Sequence, residues 1–304
     1  MLKVDPGLGR AGGVDMGAGL QLGLSTPAGV FGLDEVAATG AAVDRHVELV
    51  LWYEDFAAPA PVSGVAKVAA TGAVAVITWQ PWLWRTDVTG AGATTISGMI
   101  SEITAGRHDD HLFAWAAALT ITGTPVYLRF AHEFNGDWYP WTPAHGTTPD
   151  AYVAAWRHTH DLFSRAGATN VRWMWSPDAI AGGEVPLRAW FPGDDYVDVV
   201  GIDGYNWGTT RPWSRWTPPV ELFEPAVTEI RALTDRPMVI AEVGCAEDGG
   251  NKAEWISSFV EWAAAQSDVD AIIWFEHDKE TDWRITSAPA ATSAMAGALR
   301  AVTA

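Results

Sequence analysis

The sequence predicts an α/β fold, a (β/α)8 TIM barrel, and three observations predict it. Eight short apolar β-rich runs are separated by longer Ala-rich stretches of helical pattern. Each run is nearly continuously apolar, as parallel strands covered on both faces must be. The chain has 304 residues, and α/β barrels of about 250 residues form one domain. With 48% apolar and only 18% charged residues, it can bury a large core. One barrel over residues 1–304 is expected, with 1–18 as an irregular N-terminal extension.

The first strand is Leu20–Leu24, followed by a helical pattern over Leu33–Asp44. Val47–Tyr53 and the helix Val62–Thr71 come next, then the strand Val74–Trp79 and the helix His111–Ile121. Pro125 precedes the fourth strand, Val126–Phe130. Pro149-Asp150 opens the helix Asp150–Ala166 and Gly167 closes it. Between Val171–Trp175 and Val197–Asp203 only Gly182–Asp195 carries a faint helical pattern. The helix Val220–Leu233 leads through Pro237 into Met238–Ala241. Lys252–Gln266, Ala271–Phe275 and Ser287–Val302 complete the series. The alternative is an open doubly wound sheet. Its dinucleotide-binding form needs a Gly-rich fingerprint after the first strand, and Gly23–Pro27 is not one.

Nineteen Lys and Arg against 37 Asp and Glu leave a net charge of −18. Such a chain repels phosphate backbones and anionic membranes, so neither nucleic acid nor membrane is an expected partner. Neutral polymers meet no such barrier. The single cysteine, Cys245, excludes an internal disulfide framework and a Cys-based zinc cage, and reads as a small buried packing residue. No apolar run approaches the roughly 20 residues of a spanning helix. Met1–Gly13 lacks the charged-then-apolar pattern of a signal peptide, which fits a cytosolic protein or one whose leader has been removed.

Chemistry in such a barrel sits on the loops after the strands' C-terminal ends. Polar residues gather there, in Arg129–Trp141, Gly201–Trp207, Val239–Gly244 and Ile273–Asp278. Glu133 and Glu242 each end an otherwise apolar run. Strand alternation puts Arg129, Ala131 and Glu133 on one face, and Met238, Ile240 and Glu242 on one face of the other strand. Both glutamates then point over the barrel mouth. Glycosidic cleavage needs such a pair, one carboxyl protonating the leaving oxygen and the other attacking or activating water. The competing interpretation is two structural glutamates bonded to neighbouring backbone or Arg. Arg129, on the face of Glu133, would help keep a nearby Glu242 ionised.

The chain holds 18 tryptophans, more than a core requires. Trp79, Trp82, Trp84, Trp138, Trp141, Trp175, Trp207, Trp213, Trp216 and Trp274 fall in the proposed mouth segments, where flat rings can pack on sugars. Trp115, Trp156, Trp255 and Trp262 lie within helices and are expected in the core. His108 and His111 have a metal-ligand spacing but precede a helix, so a solvated helix start is expected. Glu276, His277, Asp278, Glu280 and Asp282 form an acidic loop expected to be solvated. No metal or cofactor is expected.

The stretch Arg129–Trp141 (RFAHEFNGDWYPW) resembles the acid/base motif of glycoside hydrolase family 26. Asp203-Gly-Tyr205 and Ala241-Glu242-Val-Gly244 follow in that family's order, and the similarity runs from about Leu20 to the end. The resemblance implies a barrel with Glu133 as acid/base and Glu242 as nucleophile. It implies retaining endo-hydrolysis of β-1,4-type linkages in a neutral plant cell-wall polysaccharide by double displacement. His132 resembles a residue supporting the acid's hydrogen bonding, and Trp138 one lining the site. Tyr205 is similar to a tyrosine that bonds the nucleophile, Asp203 and Asp198 to further acids near strand six, and Trp274 to a sugar-stacking aromatic. Mannan-cleaving members usually carry Ser-Trp-His after strand three, where this chain reads Thr78-Trp79-Gln80-Pro81-Trp82. Gln80 at the His position, with the Trp138–Trp141 run, is more similar to β-glucan-cleaving relatives. Mixed-linkage β-glucan is therefore expected ahead of β-mannan. An endo-β-1,4-mannanase and a non-catalytic carbohydrate-binding barrel are the alternatives. A monomeric, extracellular protein without cofactor is what the resemblance implies.

Overall fold

The computed structural model describes residues 19–83, 98–179 and 185–303. Within them eight parallel strands close into a barrel in chain order. They are β1 (Gln21–Ser25), β2 (Leu49–Asp55), β3 (Val74–Gln80), β4 (Val126–Phe130), β5 (Val171–Trp175), β6 (Val199–Asn206), β7 (Met238–Cys245) and β8 (Val269–Phe275). Pairing from Gln21↔Ala271 to Ser25↔Phe275 joins β8 back to β1 and closes the cylinder. The described helices are α1 (Leu33–Ala42), α2 (Val62–Ala70), α3 (Met99–Thr104), α4 (Asp109–Thr122), α5 (Pro149–Arg165), α6 (Pro219–Arg231), α7 (Lys252–Ala264) and α8 (Pro289–Thr303). The chain is thus a (β/α)8 barrel, and the open-sheet alternative is excluded.

Three local differences from the sequence pattern stand out. Strands β6 and β7 continue through Asn206 and Cys245, past the apolar run, because their polar upper residues still pair with each other. Helix α3 was not foreseen, being a short helix entered through Gly98 at φ +114°. The faint helical pattern at Gly182–Asp195 is not an α-helix in its described part, which holds single 3-10 turns at Leu187–Ala189 and Asp194–Tyr196. Residues 1–18, Trp84 and 180–184 lie outside the described residues.

Alternation along the strands sorts their side chains into two layers. Leu49, Leu51, Val76, Tyr127, Val239 and Ile273 pack with one another inside the barrel. Val50, Ile77, Leu128, Ile202, Ile240 and Ile272 face outward, in one cluster with helix residues such as Val65, Leu119, Phe223 and Phe259. Each fully buried aliphatic or aromatic side chain contributes about 1.5–3 kcal/mol, so these two layers hold the cylinder together. Trp115, Trp156, Trp255 and Trp262 are buried in the outer layer. Helix starts are fixed by side chains: Thr148 Oγ1 accepts from Ala151 N–H at 3.2 Å, and Asn251 Oδ1 from Glu254 N–H at 3.2 Å. Such caps contribute about 1 kcal/mol each.

Candidate active site

Plain alternation places neither glutamate. On β4, Tyr127 belongs to the inner layer and Arg129 follows it inward, but Ala131 packs in the outer layer. Ala131 and Glu133 adopt left-handed backbone, φ +46° and +50°. Such conformations cost about 1–3 kcal/mol each and persist only where the surroundings fix them. Here Ala131 N–H donates to Trp79 O at 3.1 Å and Glu133 N–H to Ser176 O at 2.7 Å, stitching the bent segment to the ends of β3 and β5. The bend, not a strand, turns Glu133 over the mouth.

On β7 the phase also changes. Met238 and Ile240 face outward and Val239 and Ala241 inward. Ile202 pairs with Ile240 but Asp203 pairs with Glu242, which leaves Ala241 as an extra, bulged residue. The bulge repeats the inward phase, so Glu242 points into the barrel instead of sharing a face with Ile240.

The result is a tight polar cluster. Ligand atoms of His132, Glu133, Asp203 and Glu242 all lie within 4.8 Å of one another. Arg129, fully buried, donates from Nε to Thr78 Oγ1 at 2.9 Å, and from Nη1 to Ser176 Oγ at 3.3 Å and Asp203 Oδ2 at 2.5 Å. Its Nη2 donates to Glu242 Oε1. The other oxygen of Glu242 accepts from the Tyr205 hydroxyl at 2.5 Å. Glu133 Oε2 accepts from Trp138 Nε1, also at 2.5 Å. Gly136 makes that contact possible, because a Cβ there would stand 2.6 Å from the Trp138 ring.

Electrostatics divide the carboxyls. Burial, then the charges of Glu242 and Asp178, hold the Glu133 carboxyl well above the ordinary glutamate range. Burial disfavours the Arg129 cation, but Asp203 and Glu242 outweigh that and raise its pKa, so it stays charged. Burial raises the Asp203 carboxyl well above the ordinary aspartate range, although Arg129 pulls against it. Three ionised carboxyls around one guanidinium would leave two net negative charges in a buried space. Asp203 and Glu242 touch the cation and Glu133 touches only an indole, so Glu133 is where the proton sits. Tyr205 and Tyr53 are raised by burial and then by Glu242, which keeps their hydroxyls protonated. Burial and then Arg129 lower His132, leaving a neutral ring. The same four-residue cluster is metal-competent by spacing, yet Arg129 already supplies positive charge to two of its three carboxylates.

The structure brings Arg129, His132, Glu133, Trp138, Asp203, Tyr205 and Glu242 together. His132 supports the site by packing: its Nε2 lies 3.2 Å from the Tyr139 hydroxyl, with no bond to the Glu133 carboxyl. Gln80 ends β3 in phase with inward Val76 and Thr78, and accepts from Trp82 Nε1 at 3.4 Å. Other expected site residues lie elsewhere. Trp79 is fully buried, stacked on Trp115 at 4.0 Å in the outer layer, and Trp175 is buried beside Phe134. Trp274 is also an outer-layer residue, against Trp255 and Phe259 of α7, because the phase of β8 turns Phe275 inward. Asp198 stands at the start of β6, the opposite end of the barrel, where its Oδ2 accepts from Trp173 N–H at 2.8 Å.

The acidic loop is not wholly solvated. Buried Glu276 accepts from Ile285 N–H, Thr286 N–H and the Thr286 hydroxyl, and so ties the loop shut. Nor are His108 and His111 freely solvated: His108 pairs with Glu102 at 3.2 Å, and His111 lies 2.5 Å from Phe56 O. Sequence reasoning missed Tyr53, Asp178 and Trp283. Tyr53 was findable, since Leu49, Leu51 and Tyr53 alternate inward to the strand's upper end. Trp283 packs on Tyr205 and Trp207 from a loop that carries no periodic signal.

Residues 25–274 match the model of glycosyl hydrolase family 26. Over 234 residues the chain is 37% identical to endoglucanase H of Acetivibrio thermocellus, covering 75% of this chain and 24% of that protein. It is 30% identical over 133 residues to mannan endo-1,4-beta-mannosidase A and B of Caldalkalibacillus mannanilyticus, covering 41% of this chain and 23% of that one. The chain thus spans about a quarter of the length of these relatives. Among solved structures, the catalytic domain of the family 26 endo-β-1,4-mannanase of Bacillus sp. JAMB-750 superposes with a TM-score of 0.68 at 20% identity, over 92% of this chain and 86% of that one. A family 26 β-mannanase from Bacteroides ovatus gives 0.65 at 15% identity, over 93% and 89%. By the extent of the family match, the chain belongs to glycosyl hydrolase family 26, a family of glycoside hydrolases.

Proposed function

We propose that this chain is a retaining endo-glycoside hydrolase acting on β-1,4-type linkages of a neutral plant cell-wall polysaccharide. The observation that carries it is the carboxyl pair: oxygens of Glu133 and Glu242 within 4.8 Å, in opposite electrostatic surroundings. Retaining glycosidases need about 5–5.5 Å between the two groups, whereas inverting ones leave room for water at about 6.5–9.5 Å.

Glu242 is the nucleophile. One of its oxygens attacks the anomeric carbon while the bond to the leaving oxygen breaks, and that oxygen takes the proton held by Glu133. Arg129 and Tyr205 orient Glu242 and hold its charge before attack. The ester at Glu242 removes a negative charge beside Glu133, whose pKa then falls. Glu133, now ionised, accepts a proton from water as the water oxygen attacks the anomeric carbon, and the Glu242 carboxylate leaves. Trp138 keeps Glu133 aimed through both steps.

Mixed-linkage β-glucan is the preferred substrate, supported by the longer and more identical match to an endoglucanase and by Gln80. The mannanases among the relatives and solved structures favour endo-β-1,4-mannanase as the second choice. The protein works outside the cell as a monomeric barrel; among the described residues no helix is long and apolar enough to cross a membrane. Glu242→Ala should abolish turnover, and added azide should restore it, giving a glycosyl azide of inverted configuration. Ordinary activity in that variant would refute the assignment. Reducing-sugar release from lichenan, carboxymethyl cellulose, glucomannan, galactomannan and xylan, with product sizing, tests the substrate and the endo action.

A further inference from the structure

An exposed indole on a loop after β6 is joined to the carboxyl pair through a series of aromatic contacts. Trp213, on the β6–α6 loop, is 69% exposed. Tyr205, which bonds Glu242, lies 5.0 Å from Trp283 between ring centroids. Trp283 lies 4.8 Å from Trp207, and Trp207 lies 5.4 Å from Trp213. Trp283 is buried and Trp207 partly buried, so these rings brace Trp213 from below and leave its own face as the open one.

The loop that carries Trp213 is held on three sides. Asn206 Oδ1 accepts from Gly208 N–H at 3.2 Å and Thr217 N–H at 2.9 Å, which draws the two ends of the loop together. Gly208 sits at φ +52° with the backbone of Asp248 so close that a Cβ would fall 1.8 Å from its carbonyl oxygen, so the β7–α7 loop is packed directly against it. Arg211 lies 5.5 Å from the centre of the Trp207 ring, and its Nη2 donates to Glu280 O at 3.0 Å in the loop after β8. Loops after three consecutive strands therefore hold the segment that carries the exposed ring, and Trp207 packs against that ring. An indole held in solvent gains nothing from burial. Fixed in advance, it loses little freedom when a flat apolar partner arrives. The apolar face of a sugar ring is such a partner.

We infer that Trp213 is the platform of a distal glycan subsite, stacking a sugar of the same chain more than one ring away from the reacting one. This rests on the glycan-cleaving function proposed above. The occupant is a neutral β-linked pyranose, chosen by the continuity of the aromatic path with the carboxyl pair.

The test compares Trp213→Ala, Trp213→Phe and wild type on two substrates: the polysaccharide that wild type cleaves best, and the aryl glycoside of the matching disaccharide. The polymer-to-disaccharide ratio of kcat/KM should fall about 5- to 10-fold in Trp213→Ala, the size of one aromatic stacking contact, and most of it should return in Trp213→Phe. Phe31→Ala, which removes an exposed ring off this path, is the control and should leave the ratio as in wild type. An unchanged ratio in Trp213→Ala overturns the subsite while leaving the hydrolase function standing. A wild type that cleaves none of the β-glycans overturns both.

Discussion

Replacing Arg129 by methionine would remove the single cation from the buried cluster while keeping most of its volume. In the folded protein that guanidinium is fully buried and bonds Thr78, Ser176, Asp203 and Glu242. Removing one partner of a buried ion pair costs about 3–5 kcal/mol, because the other partner is left charged and unpaired. Here two carboxylates are orphaned, and Asp203, already raised by burial, can recover by taking a proton. We expect Arg129→Met to lose about 4 kcal/mol at pH 7, measured by urea unfolding followed through tryptophan fluorescence. The loss should shrink as pH falls. Burial already raises the Asp203 carboxyl and the variant removes the cation that opposes this, so its contribution to stability is fullest below the unfolded aspartate range and declines as pH rises through the folded value. Adding Asp203→Asn removes one orphaned charge, so the double variant should recover about 1–2 kcal/mol. A loss under about 1 kcal/mol for Arg129→Met at pH 7, or strict additivity in the double variant, would refute the ion network as what holds the mouth together.

Further outcomes follow from the same cluster. Glu133 must be protonated to act as acid, so activity should fall as pH rises through its raised pKa, and Asp178→Asn, by removing one of the charges that raises it, should move that alkaline limb to lower pH. A limb that stays in place in the pH profile would show that Asp178 does not act on Glu133. Gly136→Ala should push the Trp138 ring off Glu133 and lower kcat/KM by about 2- to 10-fold, the value of a hydrogen bond to a neutral carboxyl. Its unfolding midpoint should stay near wild type, since Trp138 is 44% exposed.

The barrel was legible because burial on both faces leaves a signal in every strand: β5 matched the apolar run residue for residue, and β8 differed only at its start. The same double burial hides phase. When both faces are apolar, Trp274 and Phe275 are equally good inward residues on paper, and only the pairing of β8 with its neighbours turns Phe275 into the mouth and Trp274 toward α7. Glu133 and Glu242 were recognisable as strand-end carboxyls, but their route inward was not, since left-handed backbone at Ala131 and a bulge at Ala241 are properties of local pairing. Asp198 misled for a related reason: an acid beside a strand says nothing until its end of the strand is known. Glu276 shows the reverse case, where an acidic run conceals a buried carboxylate because its donors are backbone N–H groups.

The extra residue at Ala241 splits one eight-residue strand into two mechanically separate halves. Below it, Met238 to Ile240 can drift among apolar side chains of similar size, and the outer wall will repack without rotating the carboxylate above. Across it, a single-residue insertion or deletion would reverse the direction of every later side chain and swing Glu242 into the helices. Point substitution and length change therefore meet opposite tolerances within the same short segment, which makes β7 a strand that can age in composition but not in count.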